Sequence, residues 1–147
     1  MTRGFVIMAQ DTEKVSYTKC AKALELSIKK VMPDANVTII TSDMLPHGNL
    51  GGYHNDWQVY DASPYDETIK LESDMIIPRT IEHWWDILNV NEVVVSTKIR
   101  NFKGELSDCR VYRKFIDENM LPDTYNSITY FKKSATAKLF YTVVRDI

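Results

Sequence analysis

Residues 4–41 carry the pattern that most restricts how this chain can fold. Gly4-Phe5-Val6-Ile7-Met8-Ala9 is an unbroken apolar run of strand length, and a run without alternation is the signature of a strand covered on both faces. A polar turn, Gln10 to Lys14, follows. From Ser16 the period becomes helical, with Cys20, Ala23, Leu24, Ser27, Ile28 and Val31 recurring at three and four. Lys19, Lys22, Lys29 and Lys30 fall on other faces, and Pro33-Asp34 stops the segment. Asn36 to Thr41 is a second β-rich run. Strand, helix and strand in this order require a parallel pair joined by a right-handed crossover. All-helical folds and simple antiparallel meanders are excluded.

The remainder extends the same scheme. Residues 44–57 read as a loop holding Pro46, Gly48, Gly51 and Gly52, with His47 and His54. Thr68 to Leu71 alternates as a strand, and Glu72-Ser73-Asp74 interrupts or ends it before Met75-Ile76-Ile77. Ile81, Trp84, Trp85 and Leu88 have helical spacing, and Val93-Val94-Val95 is a strong β signal. Thr97 to Asp108 is polar and without period; Arg110 to Leu121 reads as a helix. Ile128 to Phe131 is a strand, and Ser134 caps a last helix with Ala137, Phe140, Val144 and Ile147 inward. Strands are expected at 4–9, 36–41, 68–72, 92–96 and 127–131, and helices at 15–31, 80–88 and 134–146. The fold class is α/β with a mainly parallel central sheet, in one domain spanning 1–147.

Charge and composition limit the function classes. Eighteen Lys and Arg stand against 20 Asp and Glu, a net charge of -2. That gives no strong nucleic-acid signature, which needs a basic excess. Cys20 and Cys109 have no metal or redox spacing and fit a reducing, cytoplasmic setting. No apolar run reaches the roughly 18 residues of a membrane span, and no secretory signal opens the chain.

In open α/β sheets, ligands bind beyond the carboxyl ends of the strands. Those ends carry Ala9-Gln10-Asp11, Ser42-Asp43 and Glu72-Ser73-Asp74. Two carboxylates at i and i+2 leaving a strand point to one side of it and suit a hard cation such as Mg²⁺ or Mn²⁺. The bare motif is not specific. Chance supplies about two or three acid-x-acid pairs in a chain this acidic, and solvated turn acids are the plainer reading. Strand-end position favours Glu72 and Asp74 over Asp11 and Glu13. No ligand spacing links His47, His54 and His83, which read as surface residues. Cys20 reads as core, and Trp84-Trp85 as helix packing. A nucleophile elbow and a phosphate-binding glycine loop are both absent.

The string Lys70-Leu71-Glu72-Ser73-Asp74-Met75-Ile76 resembles the metal-motif strand of GT-A-fold glycosyltransferases, in particular the glycogenin and galactosyltransferase-like group. The opening strand with Ala9 at its end, Tyr17, and the helix with Ala21, Leu24, Ser27 and Ile28 are similar to that family as well. So is Tyr125-Asn126-Ser127-Ile128-Thr129-Tyr130-Phe131, and the overall look is closest to phage-encoded members. Glu72 departs from the usual Asp, and Ile128 stands where the family has Gly.

This resemblance implies a GT-A-like, Rossmann-type three-layer sandwich, short at its C-terminus, that binds a nucleotide diphosphate sugar. It implies Ala9, Gln10 and Tyr17 near base and ribose, Lys70 near the phosphates, and Glu72 and Asp74 on Mn²⁺ or Mg²⁺. The expected activity is sugar transfer to an unassigned acceptor in the cytoplasm (the host's, for a phage protein), with no catalytic base or nucleophile identifiable. The alternative is a non-catalytic, truncated nucleotide-binding or protein-interaction module; another nucleotide-binding α/β protein is a third reading. An abbreviated fold with an apolar last helix also leads to an expected homo-oligomer or partner chain.

Overall fold

The computed structural model describes residues 1–97, 100, 103–105, 117–121 and 124–147. Its strands are β1 (Arg3–Ala9), β2 (Val37–Thr41), β3 (Glu67–Glu72), β4 (Val93–Thr97) and β5 (Thr124–Lys132). The described helices are α1 (Tyr17–Val31), α2 (Val59–Ala62), α3 (Trp84–Leu88) and α4 (Ala135–Asp146), with 3-10 segments at Ser42–Met44 and Gly52–Gln58. One five-stranded sheet runs in the order β2-β1-β3-β5-β4. Strand β1 pairs in parallel with β2 and β3, so residues 4–41 do form the strand-helix-strand crossover. The sheet is mixed, because β5 lies antiparallel between β3 and β4.

Period-2 geometry divides β1 between two cores. Phe5, Ile7 and Ala9 face α1, where they meet Ala21, Leu24 and Ile28, together with Ile81 and Trp85. Val6 and Met8 face the other side, towards Val59 of α2, Phe131, and Ala137 and Tyr141 of α4. Three layers result, with helices on both faces of the sheet. The aromatic rings of Tyr60, Phe131 and Tyr141 tie the second layer together, with centroids 5.2–5.5 Å apart.

Several expectations need correction. In α1 the buried positions are Ala21, Leu24 and Ile28, whereas Ala23 is exposed and Cys20 half-buried. In α4 they are Ala137 and Tyr141; Phe140 is half-buried, and Val144 and Ile147 are exposed. In α4 the packing of the Tyr141 ring on Tyr60 and Phe131 turns the helix away from its apolar stripe, whereas α1 keeps Leu24 and Ile28 inward and differs mainly at Ala21. Strand β3 ends at Glu72, so the acidic pair ends the strand rather than interrupting it, and α3 begins only at Trp84 instead of at 80. The helix expected over 110–121 lies largely outside the described residues, as does most of the polar stretch 97–108.

Local bonds set where the helices start. Ser134 accepts from the Ala137 N–H at 3.1 Å, as its capping position requires. At α1 the N-cap Ser16 makes no such bond. Asp11 substitutes from a distance, accepting the Thr18 N–H at 2.7 Å, and that bond is the main cause holding its carboxyl below the usual range.

Gly4 is required for packing. A Cβ built there would lie 2.4 Å from the Tyr65 ring, which is pinned by a 2.7 Å bond between its hydroxyl and Thr38 Oγ1. Gly4→Ala is therefore expected to cost about 1–3 kcal/mol of stability, measured by thermal denaturation. Adding Tyr65→Ala should remove most of the increment that Gly4→Ala causes on its own, since the nearest obstacle is gone.

Candidate functional site

The cleft is built at the carboxyl ends of β1 and β3, where the chain must leave a sheet covered on both faces. Lys70 and Glu72 lie two apart on β3 and so share a face. Their neighbours in β1 are Val6 and Met8, which fixes that face as the one opposite α1. The connection from β2 to β3, residues 42–66, folds back over this side. It brings Asn49, Gly51, Gly52, Tyr53 and Asp56 against the strand ends. A cleft of about 520 Å³ remains between them. Gln10, Tyr17, Lys70, Glu72 and Asp74 all line it, together with Asp11 and Tyr125.

Ala9 differs from the other expected site residues: its methyl is buried in the α1-side core and does not line the cleft. The histidines stay apart from the cleft. His47 Nε2 bonds Asp61 at 2.8 Å, His54 is exposed in the second 3-10 segment, and His83 precedes α3. Trp85 is core, as its spacing implied.

Lys70 is the electrostatic centre. Only 4% of its side chain is exposed, and its Nζ donates to the Asn126 carbonyl at 2.8 Å. Asp56 Oδ2 lies 3.9 Å from the same nitrogen and accepts from Asn126 Nδ2. Burial lowers the Lys70 pKa, opposed by the charges of Asp56 and Glu72. Burial likewise raises Asp56, opposed by Lys70 and the Asn126 bond. For Glu72, burial is again the largest cause of an upward shift; Lys70 opposes it, while Asp74 and Asp56 add to it. Asp56 and Glu72 thus flank one cation in a partly desolvated pocket, with the exposed Asp74 beside Glu72. A site of this kind favours ligands that bring positive charge, or that bring a cation with them.

Sequence reasoning missed Asp56, Asn49, Asn55 and the partner role of Asn126. The available signal was an amide-rich, glycine-containing loop between two strands. Nothing in its spacing tells which amide turns inward.

No family model, curated protein or solved structure matches the chain.

Replacing Lys70 by Met leaves the half-buried Asp56 and Glu72 carboxylates without their cation. It should destabilise the fold by about 2–4 kcal/mol at pH 7. The sign with pH follows from Asp56. Its raised folded-state pKa means that ionisation costs stability as pH climbs past the ordinary aspartate value, and removing Lys70 increases that cost. The deficit should therefore shrink from pH 7 to pH 4, as the pH approaches the ordinary aspartate value and the raised Asp56 carboxyl takes up a proton more readily. Urea titrations of wild type and Lys70→Met at both pH values measure it, and Asp56→Asn in the Lys70→Met background should recover part of the loss.

Proposed function

We propose that the cleft is the donor site of a metal-dependent glycosyltransferase with a GT-A-like fold, which transfers a sugar from a nucleotide diphosphate sugar to an acceptor. One observation carries this reading: Glu72 and Asp74, at the end of β3, line the same cleft as Gln10 and Tyr17, which follow β1. The strand-helix-strand opening and the three-layer arrangement agree with it.

The donor set fits a hard cation in kind. Glu72 and Asp74 offer carboxylate oxygens, and no group of three or more His, Cys, Asp or Glu suited to a metal occurs among the described residues. Mg²⁺ and Mn²⁺ are commonly held by one or two carboxylates, with phosphate oxygens and water in the other positions. Such a cation supplies neutralisation of the diphosphate charge. Asp74, in the turn after β3, is the better ligand; Glu72 is longer and half-buried. Gln10 and Tyr17 contribute the wall for base and ribose. Lys70 adds positive charge from beneath the cleft while its Nζ stays bonded to Asn126. Tyr125 and Asp56 complete the wall from β5 and the loop.

Calorimetry of UDP with and without Mn²⁺ tests this. Wild type should bind the two ligands together, each tightening the other. Asp74→Ala should abolish the Mn²⁺ dependence and leave the fold intact, because Asp74 is exposed in a turn. Glu72→Ala should weaken it less. If wild type binds no UDP in the presence of Mn²⁺, the donor-site reading is lost and the non-catalytic module takes its place.

A further inference from the structure

We infer that Asn55 is a positioning residue that fixes which way two cleft amides face, so that Gln10 and Asn49 both present N–H donors to the ligand. Asn55 is fully buried. Its Oδ1 accepts from the Leu50 N–H at 2.8 Å and from Gln58 Nε2 at 3.1 Å. Its Nδ2 donates to Gln10 Oε1 at 2.6 Å and to Asn49 Oδ1 at 2.8 Å.

Amide oxygen and nitrogen are told apart by their partners; here backbone groups decide Asn55, Gln58 and Asn49, and Gln10 follows from Asn55. The Leu50 N–H can only donate, so the Asn55 oxygen must face it. Gln58 gives the same answer, since its oxygen takes the His47 N–H at 2.9 Å and its nitrogen gives to the Gly48 carbonyl at 2.8 Å. The Gly51 N–H, 2.9 Å from Asn49 Oδ1, fixes Asn49 independently. With both oxygens committed to Asn55, the amide nitrogens of Gln10 and Asn49 are left for the cleft that both residues line.

Two preset donors select for acceptor oxygens. A keto group satisfies them, whereas an amino group meets donor with donor and leaves both unpaired. This rests on the reading of the cleft as a nucleotide site with the base near Gln10. The ligand it selects is then a nucleotide whose base offers keto oxygens rather than an exocyclic amine.

Gln10→Glu reverses the display without touching the buried hub: one carboxylate oxygen takes the Asn55 N–H, and the other presents an acceptor. Asn55→Asp reverses it from within, because an acceptor-only side chain draws the Gln10 nitrogen inward and turns its oxygen to the cleft. The probes are UDP and CDP with Mn²⁺, which share the ribose, diphosphate and metal, so the ratio of their affinities isolates the base. Wild type should bind UDP about tenfold tighter than CDP, and Gln10→Glu should abolish or invert that ratio. Asn55→Asp should do the same if it folds; if it does not, Gln10→Glu decides alone. Equal binding of UDP and CDP by wild type, or an unchanged ratio in Gln10→Glu, overturns the inference and leaves the donor-site reading standing. Binding of neither nucleotide by wild type removes both.

Discussion

The burial of β1 on both faces is the constraint from which the rest follows. All residues from Gly4 to Ala9 are buried, and no polar side chain stands between Arg3 and Gln10. Parallel neighbours on each side and helices above and below satisfy it, and the crossover through α1 supplies the nearest of these. Polar residues are thereby displaced to the strand end, where Gln10 and Asp11 begin. The parallel neighbour β3 ends on the same side of the sheet, with Met8 opposite Glu72. Apolar burial in the middle of the sheet is thus what concentrates the chemistry at its edge.

Strand β3 departs from this rule at Thr68 and Lys70. Lys70 is buried beside Thr68 in a central strand, where an unpaired ammonium would be strongly disfavoured. The Asn126 carbonyl and the Asp56 carboxylate offset its desolvation. Asn126 in turn belongs to β5, the one antiparallel strand among the described residues, and Asp56 to the loop between β2 and β3. The buried lysine therefore links three segments distant in sequence, and it holds the loop over the strand ends that the cleft requires. Buried charge of this kind adds little net stability, yet it penalises any packing that leaves the charge alone.

Much of the architecture was legible because it depends on local period. The apolar run of 4–9, the helical spacing of 16–31 and the valine run of 93–95 each appear as the element they predict. Where packing rather than period decides, the sequence misled. In α4 the apolar residues Val144 and Ile147 are exposed while Tyr141 is buried, because ring stacking on Tyr60 and Phe131 fixes the helix rotation. The direction of β5 was equally hidden, since a strand's own residues do not specify whether its neighbour runs parallel. The cleft was half legible. Glu72 and Asp74 could be placed from their strand end, but Asp56 and Asn55 lie in a loop whose fold is set by hydrogen bonds to backbone groups, which leave no periodic trace.

The charge of the cleft separates the classes of ligand it could accept. Among the described residues, Asp11, Asp56, Glu72 and Asp74 border it against the one cation of Lys70, and Asp11 is already committed to the start of α1. Lys70 is drawn towards Asp56 and Asn126, which leaves Glu72 and Asp74 as the carboxylates least compensated by the described residues. A bare diphosphate entering there meets like charge in a partly desolvated setting, where repulsion is stronger than in water. Anion binding and cation binding at this place are therefore coupled with a fixed sign: each lowers the cost of the other. A neutral or cationic ligand would need no such help. The proposed donor site is accordingly one in which the acids act against the substrate on their own and in its favour once a cation sits between them.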